Sequence, residues 1–417
     1  MSSAVPEGWK TGNLSDVSEK IWIGLVTTMT KFYVKSGVPL IRNSDITQTG
    51  INPSKLIHLE NAFANENKSR AVHKGDVVTV HTGDIGTSSV IEDELDGAQG
   101  FATLNTRLRQ SSFNPYFYSY VLNSEQFKLI AQKVVTGDGR SNLNLKDFVN
   151  LPITYPILVN EQKKIASILT SVDEVIENTQ KQIDKLQDLK KATMNELLTK
   201  GIGHTEFKDS ELGRIPKSWE VRTVGELGSL KNGLNKPKES FGYGTKFVNI
   251  SDAYPVQLNC DSLGRLDAST KEIKDYSLEG GDLVFVRSSV KLGGVAIPTE
   301  FCYCGEPVVF CGFMIRFRPH LKGLESSFLR QYLLNDATRV RIERLATGGA
   351  NININQEALS QFKVLLPTTE EQKYFSSVNV GFEDSLQKYQ EKLSQTQSLK
   401  KSLMQDLLTG KVRVTVN

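Results

Sequence analysis

The chain is written twice, and that duplication limits its possible folds more than any other feature. Pro6-Glu7-Gly8-Trp9-Lys10 returns as Pro216-Lys217-Ser218-Trp219-Glu220, 210 positions later. Glu161-Gln162-Lys163 returns as Glu371-Gln372-Lys373 at the same offset, and so do Leu189-Lys190-Lys191 and Leu197-Leu198-Thr199, as Leu399-Lys400-Lys401 and Leu407-Leu408-Thr409. Between these anchors the register drifts by a few residues, as insertions in surface loops make it. Gly75-Asp76 matches Gly281-Asp282, and Phe101 with Arg107 and Arg109 matches Phe310 with Arg316 and Arg318. Thr136-Gly137 with Asn142 and Asn144 matches Thr347-Gly348 with Asn353 and Asn355. Solenoid repeats run to roughly 20 to 50 residues, so a period this long makes each copy a domain with its own appendage.

The first 156 residues read as a mixed α/β globule. Val77 to His81 and Thr106 to Arg109 alternate as half-buried strands do, while Pro115 to Ala131 spaces Phe117, Tyr120, Val121, Phe127 and Ile130 like one helix. Val284 to Val286, Met314 to Phe317 and a helix over Ser326 to Ile342 hold the corresponding places in the second copy. Each globule closes at a proline, Pro156 or Pro367, and a long helix starts near Glu161 or Glu371; Thr368 and Glu371 have the spacing of a capping box. A stripe of Val172, Ile176, Thr179, Ile183, Leu186, Leu189, Thr193 and Leu197 follows, and Phe382, Leu386, Tyr389, Leu393, Thr396, Leu399, Leu403 and Leu407 repeat it. Steps of three and four with Lys, Gln, Asp and Glu between them predict a coiled-coil seam. Gly201 and Gly410 stop the two helices at matching points. The fold class expected is therefore α+β: globules at 1–156 and 204–367, helical regions at 157–203 and 368–417, the helices paired antiparallel about a pseudo-two-fold axis.

Catalytic motifs are missing. No P-loop exists, the five histidines at 58, 73, 81, 204 and 320 form neither a zinc-protease motif nor a Ser/His/Asp order, and Asn114-Pro115-Tyr116-Phe117 reads as a helix start. The four cysteines, Cys260, Cys302, Cys304 and Cys311, have no metal-ligand spacing and read as small buried hydrophobes rather than as a zinc site or a disulfide framework. No apolar run approaches the roughly 20 residues of a membrane span and no secretory leader opens the chain, so a cytoplasmic protein is expected, with no membrane partner. The 50 Lys plus Arg against 47 Asp plus Glu leave a net charge of +3, so any hold on a polyanion must come from local clusters.

Such clusters occur at mirrored places. The loops Thr136 to Asn144 and Thr347 to Asn355 offer Arg140, Asn142 and Asn144 in one copy and Asn351 and Asn353 in the other. Strand-end segments add Arg42 and Asn43 opposite Asn249, and His81 and Thr82 opposite Arg287 and Ser288; Lys31, Lys236, Lys238 and Lys291 are candidates for the backbone. Amides pair with adenine, Arg with guanine, and Lys, Ser and Thr with phosphate, so the set points to duplex DNA. About 28 residues of seam make a rod of ~42 Å, close to the roughly 34 to 36 Å between successive major-groove faces on one side of B-DNA. The geometry suggests a target in two unlike halves, one per globule.

The P-x-(G/S)-W start of each globule, the T-G-x-x-x-x-x-(L/I)-N loop, the proline followed by E-Q-K, the L-K-K…L-L-T helix end and the connector Gly203 to Pro216 together resemble the specificity (S) subunits of type I restriction-modification enzymes. The resemblance covers essentially the whole chain. It implies two target-recognition domains reading an asymmetric bipartite site, with the helices as a ruler for the gap, and no catalysis by this chain. It also implies two modification subunits, which use S-adenosylmethionine to methylate adenine, and two restriction subunits, which use ATP and Mg2+; no cofactor sits on this chain. Met194 and Met404 are then candidate docking surface for the modification subunits. A subunit serving a fused type II nuclease-methyltransferase and a self-paired adaptor for peptides stay open as alternatives.

Overall fold

The structure, a computed structural model, describes residues 5–109, 111–135, 142–253, 258, 260–349 and 351–415. It has two compact units, Met1–Gln182 with Tyr389–Asn417, and Ile183–Lys388. Each holds one globule and one part of each long helix, Val159–Lys200 and Thr369–Leu407. Among the described residues no helix is long and apolar enough to cross a membrane.

In the first unit Ser18–Ile23, Leu104–Leu108, Val77–Thr79 and Ser88–Val90 form an antiparallel sheet in that spatial order. A second sheet, Tyr33–Val34, Ile57–Leu59, Val38–Arg42 and Gln99–Phe101, ends in a parallel pair. The second unit repeats the first sheet as Gly228–Asn232, Met314–Pro319, Leu283–Val286 and Pro298–Glu300, and its parallel pair is Phe241–Val248 with Val308–Phe310. The connector folds into a hairpin, Phe207–Ser210 against Gly213–Pro216.

Strand register corrects the match between the copies. Thr106 faces Val77 as Phe317 faces Leu283, so Arg107 corresponds to Arg318, not to Arg316. The chemistry agrees. Arg107 donates Nε and Nη2 to the buried Asp76 at 2.9 and 2.7 Å, and Arg318 does the same to the buried Asp282 at 2.9 and 2.8 Å. The helix expected over 115–131 is also two helices, Pro115–Asn123 and Glu125–Gln132, and its counterpart is Ser326–Leu334 and Asp336–Glu343. The breaks fall at Ser124 and Asn335, whose backbones are extended and whose side chains cap the next helix by accepting from Phe127 N–H and Ala337 N–H. A local side-chain acceptor competes here with continued helix.

The repeated motifs build one joint twice. Trp9 Nε1 donates to Glu161 at 3.4 Å and Trp219 Nε1 to Glu371 at 2.9 Å. Gln162 accepts from Asn114 N–H and donates to Pro156 O; Gln372 accepts from Glu325 N–H and donates to Pro367 O. Further partners differ between the copies: Arg413 binds Glu161 at 2.8 and 3.0 Å, and His204 binds Glu371 at 2.7 Å. Thr368 and Glu371 exchange the hydrogen bonds of a capping box.

Within each unit the two long helices run antiparallel. Ile165 and Leu169 share a core with Leu403 and Leu407, and Asp173 meets Lys400 at 2.6 Å. In the other unit Leu198 shares a core with Phe375, and Lys190 pairs with Glu383. Ile183, Leu386 and Leu407 are buried, and Ile176, Leu186, Leu197, Leu393 and Leu403 are half-buried. Leu189 and Leu399 correct the expected stripe, being 56% and 52% exposed. At about 100° per residue, six steps leave Leu189 about 120° round the helix from Ile183, whereas seven leave Lys190 within about 20°. Lys190 and Lys400 take the inward places, each neutralised by a carboxylate from the facing helix.

The cysteines also depart from expectation. Cys260 and Cys304 form a disulfide, their Cα atoms 5.5 Å apart; Cys302 is exposed and only Cys311 is buried. A sequence separation of 44 hid that Phe241–Val248 pairs with both strands that follow these cysteines, Gly264–Leu266 on one side and Val308–Phe310 on the other. No group of three or more ligating side chains that could hold a metal occurs among the described residues.

Candidate nucleic-acid interface

The strands Val77–Thr79 and Leu283–Val286 end at equivalent rims. Beyond the first, His81 O accepts from Leu143 N–H at 3.0 Å, and Thr82 Oγ1 donates to Asn142 Oδ1 at 2.7 Å. Beyond the second, Arg287 O accepts from Ile354 N–H at 3.0 Å, and Ser288–Ser289 pairs with Ile352–Asn353 as a two-stranded ribbon. In both copies, then, the residues after the Thr-Gly motif are stitched by backbone to the end of a buried central strand. Strand ends hold backbone rigidly while their side chains stay at the surface, which suits a recognition surface.

The first rim gathers Arg42, Asn43, His81, Thr82 and Asn142. Asn43 spends its amide internally, accepting from His81 N–H at 2.9 Å and donating to Ala102 O at 3.3 Å, so it positions the rim. Arg42 Nε and Nη2 both lie 2.8 Å from Asp45, whose hydrogen bond raises the guanidinium pKa and keeps it charged but half-neutralised. Burial lowers the pKa of His81, and its Nδ1 lies 2.8 Å from Thr82 Oγ1; the ring is a neutral hydrogen-bonding group at pH 7 rather than a phosphate cation. Asn144 is the N-cap residue of the helix Leu145–Phe148. Lys31, in the turn Thr30–Phe32, is exposed and lies 4.8 Å over the Phe32 ring. Arg140 lies outside the described residues.

The second rim gathers Arg287, Ser288, Asn351 and Asn353. Asn353 exchanges backbone bonds with Thr347 at 2.8 and 2.9 Å and donates Nδ2 to Asn351 O at 3.1 Å. Arg287 donates its N–H to Phe313 O at 2.8 Å and Nη1 to Gly312 O at 3.4 Å. Asn249 follows the neighbouring strand, and its N–H donates to Asp252 as Arg42 N–H donates to Asp45. Lys236 is engaged with Glu272 at 2.8 Å, and the hydrogen bonds from Lys236 and Ser269 hold that carboxyl at about 2. Lys238 and Lys291 are exposed.

Three supporting groups escaped the sequence reading. Asp45 and Asp252 each close a turn by accepting from the backbone three residues earlier, a spacing visible in the sequence once the strand end is known. Arg339 is nearly buried and donates to the carbonyls of Gly293, Val295 and Ala296 at 3.4, 2.6 and 3.1 Å. Nothing local marks it, since its role rests on carbonyls more than forty positions away.

A family model described as the type I restriction modification DNA specificity domain matches residues 6–188 and again 216–378. The chain is 26% identical over 415 residues to the type I restriction enzyme MjaVIII specificity subunit of Methanocaldococcus jannaschii, covering 98% of this chain and 94% of that protein. Among solved structures it resembles a chain from work on the complex assembly and conformational transition of the type I R-M system, with TM-score 0.61 and 16% identity over 98% of this chain and all of that one. It also resembles the S subunit from M. genitalium, with TM-score 0.57 and 15% identity over 96% of each chain. With the model covering both copies and the architecture shared, the chain belongs to the DNA specificity subunits of type I restriction-modification systems.

Proposed function

We propose that this specificity subunit reads an asymmetric bipartite DNA site, one half with each rim, and directs adenine methylation and restriction by subunits that associate with it. The observation that carries this reading is the pair of rims. They share a backbone plan, Leu143 onto His81 and Ile354 onto Arg287, and differ in the side chains they present. A shared plan with unlike side chains serves two half-sites of unlike sequence. The globules, 1–156 and 204–367, are the recognition domains, and the regions 157–203 and 368–417 set the gap.

Arg42, Arg287, Lys31, Lys238 and Lys291 are the cations offered to DNA, and Thr82, Asn142, Ser288, Asn351 and Asn353 the base-reading or phosphate-reading groups; His81, Asn43, Asn144, Asn249 and Lys236 support them. Two modification subunits would supply S-adenosylmethionine chemistry and two restriction subunits would supply ATP- and Mg2+-dependent cleavage. Each unit carries a groove suited to one modification subunit: Lys190, Lys191, Met194 and Leu198 line one, and Lys400, Lys401, Met404 and Leu408 line the other. Equivalent grooves fit two copies of one partner.

The test is to co-express the chain with the modification subunit encoded beside it and map methylated adenines on genomic DNA. One split motif with two defined halves and a fixed gap is expected. Complex formation with methylation at unrelated sites, or a contiguous motif, overturns the reading.

A further inference from the structure

The two rims differ most between the last core residue of the strand and the point where the chain turns back. Val80 O accepts from Gly86 N–H, and Val286 O accepts from Ala296 N–H, so these pairs are equivalent. Five residues, 81–85, separate the first pair and nine, 287–295, the second. The longer turn exposes Val290 and Leu292 to 76% and 45%, and Phe313, beside Arg287, to 57%. In the first copy Asp84 lies in the shorter turn, and its carboxylate binds Lys128 and Thr87.

This apolar tip is held still. Its base is the ribbon Ser288–Ser289 with Ile352–Asn353, Lys291 N–H donates to Ser289 Oγ at 3.2 Å, and Arg339 binds the three carbonyls at its far end. Ala296 lies at φ 52°, in the left-handed region that a non-glycine residue adopts at a cost, where the first copy has Gly86 at φ 86°. A rigid turn that strains its backbone while exposing large apolar side chains is organised for contact. Its surroundings name the occupant. Arg287, Lys291, Asn351 and Asn353 suit a phosphate-flanked groove, the major groove admits a two-stranded ribbon, and the apolar feature on its floor is the thymine C5-methyl group.

We propose that the turn 287–296 is a thymine-methyl reader: the ribbon enters the major groove of the second globule's half-site, and Val290, with Phe313, packs on the methyl group of a thymine there. This rests on the DNA-reading assignment above.

The experiment measures binding of the full chain, assembled with its modification subunits, to labelled duplexes carrying the mapped site at fixed salt. Each thymine in the site is replaced in turn by deoxyuridine, which removes only the methyl group. One substitution is expected to weaken binding about fourfold, the worth of one methyl group taken out of water. Val290→Ala, or Phe313→Ala, is expected to weaken binding to the thymine duplex and to erase the thymine–uracil difference. A half-site without thymine overturns the inference, as does indifference to every uracil or a difference that survives both variants. Val290→Ala that impairs assembly with the modification subunits while leaving DNA affinity intact places a protein on the tip and also overturns it. In all of these cases specific binding persists and the DNA-reading assignment stands; that assignment falls only when the assembled complex shows no sequence-specific binding.

Discussion

Replacing Glu371 by alanine removes one carboxylate from Trp219, His204, Thr368 and Ile202 together. Trp219 is fully buried, so its indole N–H loses its partner with no water to replace it, a penalty of about 1–3 kcal/mol. The bond from His204, whose side chain is 22% exposed, adds about 1–2 kcal/mol once solvent screening is discounted. A total near 3–4 kcal/mol is expected, which at about 2–4 °C per kcal/mol for a unit of this size lowers the melting temperature by about 6–16 °C. Glu371→Gln keeps the shape and one acceptor and should lose about half as much. Calorimetry on the intact chain reads both; a loss for Glu371→Ala below about 2 °C refutes the view that this carboxylate closes the joint. The pH dependence supplies a second check. Burial works to raise the Glu371 pKa, but hydrogen bonds from His204, Trp219 and Thr368 outweigh it, and the folded value lies below the ordinary 4.5. A depressed carboxylate pKa contributes stability that is fully present above the unfolded value and lost as pH falls through the folded one. The gap between wild type and Glu371→Gln should therefore shrink as pH falls below about 4.5.

Asp76→Asn and Asp282→Asn should each cost about 2–3 kcal/mol in urea melts, less than for a fully buried pair because the arginines are partly exposed; costs differing by more than about 2 kcal/mol would deny their equivalence. Truncation after Gly410 removes Arg413 from Glu161, so hydrogen exchange at Trp9 and its neighbours should quicken while Trp219 stays protected; equal protection in both proteins counts against the tail as part of the first joint. Thiol titration of the unfolded, unreduced chain should find two free thiols, Cys302 and Cys311, and four after reduction; four without reduction refutes the disulfide. Reduction should destabilise the second unit by up to about 4 kcal/mol, the chain-entropy value for a loop of this length.

The duplicated motifs were legible in the sequence, but their purpose was not. Trp9, Trp219 and the Glu-Gln pairs could pass for signature residues of a binding face, yet they join globule to helix. The rim residues were found as polar positions at matching places, and the structure divides them by how their hydrogen bonds are spent. Asn43 and Lys236 are committed inside the protein, while Lys238 and Lys291 stand exposed. A polar residue looks the same in sequence whether its partner is a ligand or a carbonyl forty positions away.

Local and periodic information lay in the chain itself: two copies, a mixed globule and a long helix in each, a stop at Gly201 and Gly410, and the absence of catalytic motifs. Periodicity follows from helix and strand geometry, which every residue obeys in turn. Tertiary structure decided what depends on contacts distant in sequence. It set Arg107 against Asp76 and Arg318 against Asp282, turned Lys190 and Lys400 inward in place of Leu189 and Leu399, and brought Cys260 to Cys304. Each of these rests on which strand or helix becomes a neighbour, and the free energy of the whole core, not the local pattern, selects the neighbour.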